Sequence, residues 1–190
     1  LIHVSTDFIF DGEKGPYGEE DEPAPVNFYG LSKWKAEEAV RESGCRWSIA
    51  RTVLVYGNTH GATRSHLILW VRDKVGAGER IKVVSDQVRT PTYAGDLARG
   101  ILLIAEKQAE GVYHISGKDI LTPYEMALDT CSLLGLDDTL IEKVDASVFS
   151  QPARRPMRTG FRIDKAMRDL GYAPLSFREG LARMLAGDDL

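Results

Sequence analysis

The chain alternates short apolar, β-branched runs with longer amphipathic runs, and this alternation limits its fold more than any other feature. The apolar runs predict strands over residues 1–5, 47–55, 81–84 and 111–115. Between them, apolar residues recur at helical spacing and predict helices over 28–42, 64–75 and 95–107. Strands that alternate with helices indicate an α/β fold with a mostly parallel sheet.

The C-terminal third carries two marked helix starts. Thr122, Pro123 and Glu125 supply an N-cap hydroxyl, a proline at the first helical position and a carboxylate three residues after the cap. This pattern predicts a helix that reaches Leu134 and ends at Gly135. The segment 176–179 repeats the capping box and predicts a last helix to Ala186. Beyond about Gly117 the pattern is rich in helices, so we expect a smaller lobe there.

Composition excludes several classes of partner. The 24 Lys and Arg against 28 Asp and Glu give a formal net charge of −4, and no stretch forms a basic stripe, so we expect no nucleic-acid partner. The longest apolar runs, such as 101–105, fall far short of the ~20 residues that cross a bilayer, so we expect no membrane partner. Cys45 and Cys131 lack metal or redox spacing and predict reduced thiols in a cytoplasmic protein. The histidines also lack paired ligand spacing, so no metal site is expected.

Tyr29 and Lys33 form a Tyr-x-x-x-Lys pair at the start of the first predicted helix. Residues four apart share a helix face, so the ammonium could favour the phenolate form of the tyrosine for acid–base work. On spacing alone, a half-buried aromatic beside a lysine that reaches water is the simpler interpretation.

A hydroxyl at the end of the first predicted strand favours the acid–base interpretation of Tyr29 and Lys33. Thr6 follows this strand directly, and open α/β sheets bind ligands outside the carboxyl ends of their strands. The hydroxyl would hold a substrate oxygen, Tyr29 would supply a proton, and Lys33 would tune the tyrosine, as a carbonyl reduction requires. Taken singly, Thr6 could equally satisfy loop backbone groups.

Longer stretches carry a resemblance to a known family. They are Ser5-Thr6-Asp7-Phe8-Ile9-Phe10-Asp11-Gly12, Asn27-Phe28-Tyr29-Gly30-Leu31-Ser32-Lys33 with Glu37, Arg51-Thr52, and Thr90-Pro91-Thr92-Tyr93. Together they resemble the extended short-chain dehydrogenase/reductase family, and within it the dTDP-4-dehydrorhamnose reductase group. The likeness runs through essentially the whole chain in order.

The resemblance implies a Rossmann-like parallel sheet with a small mixed α/β substrate-binding lobe. Residues 1–117 would form the C-terminal portion of the NAD(P)-binding domain, interleaved with lobe segments around 58–92, and residues 118–190 would form mainly the lobe and the C-terminal helices. The implied activity is the NADPH- or NADH-dependent reduction of a nucleotide-linked 4-keto-6-deoxysugar. The resemblance also allows a homodimer.

The family's functional residues carry over to three sets. The catalytic set is Thr6, Tyr29 and Lys33. The cofactor-binding set is Ser5, Tyr29, Lys33, Thr52, Val53 and Leu54. The substrate-binding set is Thr6, Asp7, Phe8, Asn27, Leu54, Arg89, Arg154 and Arg155, in which the two adjacent arginines would bind a pyrophosphate through their guanidinium groups.

The chain departs from the family at substrate-recognition positions. Phe8, Leu54 and Arg89 stand where the group commonly has tyrosine, tryptophan and glycine. The sugar could therefore differ. Two alternatives stay open: a nucleotide-sugar epimerase or dehydratase, which shares the triad, and a non-catalytic subunit like the β subunit of methionine adenosyltransferase.

The glycines in 12–18 match a Gly-x-x-Gly-x-x-Gly phosphate-binding pattern by letters only. Pro16 interrupts the segment, and the four carboxylates of 19–22 follow it in place of a helix. These carboxylates would repel a pyrophosphate, so we interpret the segment as a flexible loop over the active site. In the family, the phosphate-binding turn lies upstream of the strand that ends at Thr6. We therefore expect the chain to be the C-terminal part of a longer reductase, and to bind NADPH poorly by itself.

Overall fold

A computed structural model describes residues 1–58, 67–150 and 153–187. Its strands are β1 (Ile2–Thr6), β2 (Ser48–Thr52), β3 (Val55–Tyr56), β4 (Ile81–Val84), β5 (Thr92–Tyr93), β6 (Gly111–His114) and β7 (Ile141–Val144). Its helices are α1 (Phe28–Glu42), α2 (Leu67–Gly76), α3 (Ala94–Glu106), α4 (Pro123–Leu134), α5 (Asp164–Leu170) and α6 (Phe177–Ala186).

The main sheet has the order β1-β2-β6, and its strands are parallel. Side chains alternate between its faces, so Ala50 and Tyr113 share one face, where they pack with residues of α3 and α5. Arg51 and His114 share the other face, where Arg51 contacts α1. Helices on both faces of a parallel sheet confirm the predicted α/β class.

A second parallel pair, β4-β7, forms a separate sheet. Val71 and Val75 of α2 and Ala127 of α4 bury its inner face. β4 lies in the segment 58–92 and its partner lies in 118–190, which agrees with an interleaved lobe. The division into domains stays a prediction.

The single strand predicted over 47–55 is wrong. β2 ends at Thr52, and β3 pairs with β5 in a separate sheet. Leu54, between the two strands, has a φ of 37°, a left-handed conformation that no β-strand accommodates. The chain therefore turns out of the main sheet at this residue, at the carboxyl end of β2.

Both predicted capping boxes are present. The side chains of Thr122 and Ser176 accept from the backbone of Glu125 and Glu179, whose carboxylates accept in return. Of the helix predicted over 64–75, residues 64–66 lie outside the described residues, and α2 accounts for the rest. The sequence patterns did not predict α5 or β7. Within the described ranges, no helix combines the length and apolarity needed to cross a bilayer.

Candidate active site

A cavity of about 430 Å³ lies outside the carboxyl ends of β1, β2 and β4. Thr6 is the last residue of β1, Leu54 follows β2, and Val84 ends β4. Residues at and after the ends of β1 and β2 line it together with residues of β4 and α2. The lining residues are Thr6, Asp7, Phe8, Tyr29, Leu54, Leu67, Trp70, Lys82, Val83, Val84, Gln87, Arg89, Pro123, Phe149 and Arg155.

Thr6 joins the cavity to a buried hydroxyl–carboxylate cluster. Its hydroxyl donates to Oδ1 of Asp7 at 3.1 Å and accepts from the backbone N–H of Phe8 at 3.3 Å. The second contact caps a short 3₁₀ turn at Asp7–Ile9, which explains why this strand ends in a hydroxyl residue.

Asp7 is enclosed, with 3% of its surface exposed. The Thr159 hydroxyl donates to its Oδ2, and Nε of Arg89 lies 3.9 Å from the same oxygen. Burial raises the pKa of the Asp7 carboxyl above its ordinary value, against the pull of Arg89 and the two threonine hydroxyls.

Tyr29 and Lys33 lie one turn apart on α1. Tyr29 is half exposed at the cavity, and its ring meets that of Phe8 edge to face at a centroid distance of 5.8 Å. Lys33 Nζ donates to the carbonyl of Val4 in β1 at 2.8 Å. This bond holds the ammonium at the edge of the sheet, close to the helix turn that carries Tyr29.

Arg89 lies in the cavity wall but is committed to the protein itself. Its guanidinium donates to the carbonyls of Val88, Pro156 and Met157, at 2.6–2.9 Å. Burial lowers the pKa of Arg89, and the nearby Asp7 opposes that shift. Arg89 was predicted to bind substrate. The hydrogen bonds that the structure gives it instead hold the backbone around residues 156–157 in place.

Of the two predicted pyrophosphate ligands, the structure brings one to the main cavity. Arg155 is exposed and lines both this cavity and a neighbouring one of about 410 Å³, whereas Arg154 lines only the neighbour. Asn27 caps α1 and donates from Nδ2 to the carbonyl of Arg154 at 2.9 Å, so it lies behind the arginines and outside the lining.

Of the residues that the resemblance assigns to the cofactor, some are accessible and others are buried. Leu54 is 43% exposed and lines the cavity, but Val53 is fully buried. Thr52 donates to Thr92 at 3.2 Å within the interior, and Ser5 is buried on the other face of β1. Through their side chains, Leu54, Tyr29 and Lys33 are thus the accessible members of the set.

The loop 12–22 does not cover the site, and that prediction is wrong. None of its residues, all of them described, lines the cavity. Tyr17 stacks on Phe10, and its backbone bonds to Gly160 and Arg162 at 2.7 and 2.8 Å. These contacts fix the loop against the C-terminal segment, away from the cavity.

A buried ion pair fixes α1 to the main sheet behind the cavity. Arg51 Nη2 and Nε donate to the Glu37 carboxylate at 2.9 and 3.0 Å, and Glu37 is fully buried. Burial alone would raise the pKa of Glu37, but the hydrogen bonds and charge of Arg51, with a further hydrogen bond from Arg41 at 2.9 Å, outweigh it and lower the pKa. Glu37 lies one turn after Lys33, so the pair sets the position of the helix that carries Tyr29 and Lys33.

Sequence reasoning missed four residues at or beside the cavity. Trp70, Lys82 and Phe149 line it, and Thr159 bonds the Asp7 carboxylate. Only Trp70 has a possible signal, as a large residue off the buried stripe of α2. The others come together only through the pairing of β4 with β7 and the return of the C-terminal segment. In the described part of the chain, no cluster of His, Cys, Asp or Glu could hold a metal ion.

Known proteins are similar to this chain in sequence and architecture. A sequence model described as the RmlD substrate binding domain matches residues 1–189. A probable low-salt glycan biosynthesis reductase, Agl14 of Haloferax volcanii, is 35% identical over 98% of this chain and 63% of its own length. A dTDP-4-dehydrorhamnose reductase of Mycobacterium tuberculosis is 33% identical over 98% of this chain and 62% of its own length.

A solved structure agrees with these relatives. The dTDP-4-dehydrorhamnose reductase of Bacillus anthracis, crystallised with NADP, superposes with a TM-score of 0.88 at 30% identity, over 98% of this chain and 65% of its own. The chain spans a little under two thirds of the length of the curated relatives named above. Because the family model covers residues 1–189, the chain belongs to the RmlD substrate-binding domain family.

Proposed function

We propose that this chain supplies the catalytic residues and the sugar-nucleotide pocket of an NAD(P)H-dependent reductase acting on a nucleotide-linked 4-keto-6-deoxysugar. The observation that carries the proposal is the convergence of Thr6 and Tyr29 on one cavity, with Lys33 one turn from the tyrosine. The relatives named as reductases and the NADP-bound structure support it.

The donor set fits one end of a nicotinamide nucleotide. The Lys33 ammonium and the Tyr29 hydroxyl lie on one helix face, and such donors suit the hydroxyls of a ribose. When bound, the cofactor supplies hydride to the carbonyl carbon of the sugar. Tyr29 would give its phenolic proton to the oxygen of that carbonyl, so that an alcohol forms. Lys33 would contribute a positive charge one helical turn from the oxygen that gives up the proton.

Other residues that line the cavity suit the rest of a sugar nucleotide. Trp70 and Phe149 offer apolar surface for a base or a deoxysugar, and Lys82 and Arg155 offer positive charge for a diphosphate. Arg154 adds charge in the neighbouring cavity. The predicted cytoplasmic location and a homodimer stay predictions.

Replacement of the proton donor tests the proposal. In the protein, Tyr29→Phe should lower kcat for NADPH-dependent reduction of a dTDP-linked 4-keto-6-deoxysugar by about 10²–10⁴-fold, because the phenolic proton is lost. Tyr124→Phe, the same change at a residue outside the cavity lining, should leave kcat unchanged. Near-normal turnover in Tyr29→Phe would refute the assigned role.

A further inference from the structure

Every N–H of the Arg89 guanidinium faces an acceptor within the described residues. A guanidinium carries five N–H groups, two on each terminal nitrogen and one on Nε. Those on the terminal nitrogens meet four oxygens at 2.6–3.5 Å: the carbonyls of Val88, Met157 and Pro156, and Oε1 of Gln87. Nε faces Oδ2 of Asp7 at 3.9 Å. Arg89 is also buried, so it acts on a substrate through the residues that it holds.

The backbone of Arg155 lies between two points that other elements hold. On its C-terminal side, Arg89 donates to the carbonyls of residues 156–157 at 2.6 and 2.9 Å. On its N-terminal side, Nδ2 of Asn27 donates to the carbonyl of Arg154 at 2.9 Å. The two side chains therefore fix the chain direction at Arg155 from both sides.

The side chain of Arg155 remains available to a ligand. It is exposed and lines both the main cavity and its neighbour, so it stands where the two cavities meet. No other described residue accepts a hydrogen bond or an ion pair from it. Burial lowers the pKa of Arg89, and the charge of Arg155 adds to that shift, so the two cations lie close enough to repel each other. An anionic group bound at Arg155 would relieve this repulsion.

We propose that Arg89 and Asn27 are positioning residues, which hold the backbone on both sides of Arg155 so that its guanidinium meets the diphosphate of the sugar nucleotide. This inference rests on the proposed function. It replaces the direct substrate contacts that the resemblance implies for Arg89 and Asn27 with an indirect role. An arginine binds phosphate oxygens through parallel N–H bonds, so a backbone fixed in advance lowers the entropy lost when the ligand binds.

The first variant of the test is Arg89→Lys. It keeps a positive charge beside Asp7, but one ammonium group cannot reproduce the planar fork that holds both carbonyls of residues 156–157. Titration calorimetry with dTDP should show binding about 10–100-fold weaker, the value of one hydrogen bond to a charged group. With a dTDP-linked 4-keto-6-deoxysugar, KM should rise while kcat stays unchanged, because the diphosphate takes no part in the hydride and proton transfers.

A double-mutant cycle separates this role from a merely structural one. Arg155→Ala should weaken dTDP binding by a similar factor, and adding Arg89→Lys to it should weaken binding no further, because Arg89 acts through Arg155. Lys82→Ala is the matched control, since Lys82 also lines the cavity but lies on β4. Its effect on dTDP binding should add to that of Arg89→Lys.

Asn27→Ser keeps the test decisive if Arg89→Lys folds poorly. Serine can still cap α1, but it loses the amide N–H that holds the carbonyl of Arg154. It should weaken dTDP binding, and it should have no further effect when combined with Arg155→Ala. Unchanged dTDP affinity in a folded variant, or losses that add to that of Arg155→Ala, would overturn the inference and leave the proposed function standing. No binding of dTDP to the unmodified protein would overturn both.

Discussion

At the scale of single residues, Glu37 and Arg51 show how the site is fixed. Both side chains are fully buried, and two guanidinium nitrogens meet the carboxylate at 2.9–3.0 Å. A buried pair adds little net stability compared with apolar residues, but removing one partner strands the other charge. The main effect of the pair is therefore to fix the position of α1 relative to β2, and not to add much to the free energy of unfolding.

Glu37→Gln should lower the free energy of unfolding at neutral pH by about 3–5 kcal/mol, because the Arg51 charge stays buried without its partner. Since Arg51 holds the pKa of Glu37 below its ordinary 4.5, this contribution is complete above pH 4.5 and is lost as pH falls through the lowered value. Urea denaturation at several pH values should show the two proteins converging in acid.

Glu110→Gln provides the comparison, because Glu110 pairs with Arg46 at the surface, where both side chains are more than half exposed. Its loss should cost no more than about 1 kcal/mol. A difference in the free energy of unfolding between Glu37→Gln and the unmodified chain that stays constant to well below pH 4.5 would contradict this role of the ion pair.

At the scale of elements, sequence patterns predicted the helices whose starts and ends are set by residues close in the sequence. The bounds of α1 and α4 followed from periodicity and caps, and both capping boxes are present. The break at Leu54 escaped prediction because the run 47–55 stays apolar and β-branched across it. Likewise, α5 has only seven residues, and packing against α3 and β6, not propensity, stabilises so short a helix.

Thr122→Ala should destabilise the protein by about 1 kcal/mol, because the backbone N–H of Glu125 at the start of α4 loses its acceptor. Thr122→Ser, which keeps the oxygen, should retain most of the stability. Thermal unfolding of the three proteins measures both effects. Equal losses for alanine and serine would show that the methyl group, rather than the cap, is responsible.

At the scale of the whole molecule, the cavity forms where two parts of the fold meet. Thr6 and Tyr29 belong to β1 and α1, whereas Trp70 and Lys82 belong to α2 and β4. Arg89 ties the loop before β5 to the C-terminal segment and lies next to Asp7. Strand ends and helix spacing made Thr6, Tyr29 and Lys33 candidates, and the family resemblance assigned them to the catalytic set. The sequence could not predict the cavity residues of α2 and β4 or Thr159, since contacts across 152 positions leave no local pattern.

The most direct test of the central claim is the stoichiometry of the reaction that the protein catalyses. NADPH oxidation and sugar products would be measured together, with a dTDP-linked 4-keto-6-deoxysugar as substrate. The account predicts one-to-one consumption of NADPH and formation of the 4-hydroxy sugar, because each hydride delivered to the carbon is matched by one proton from Tyr29. Conversion of the sugar without net NADPH oxidation, as an epimerase or dehydratase would give, would contradict it.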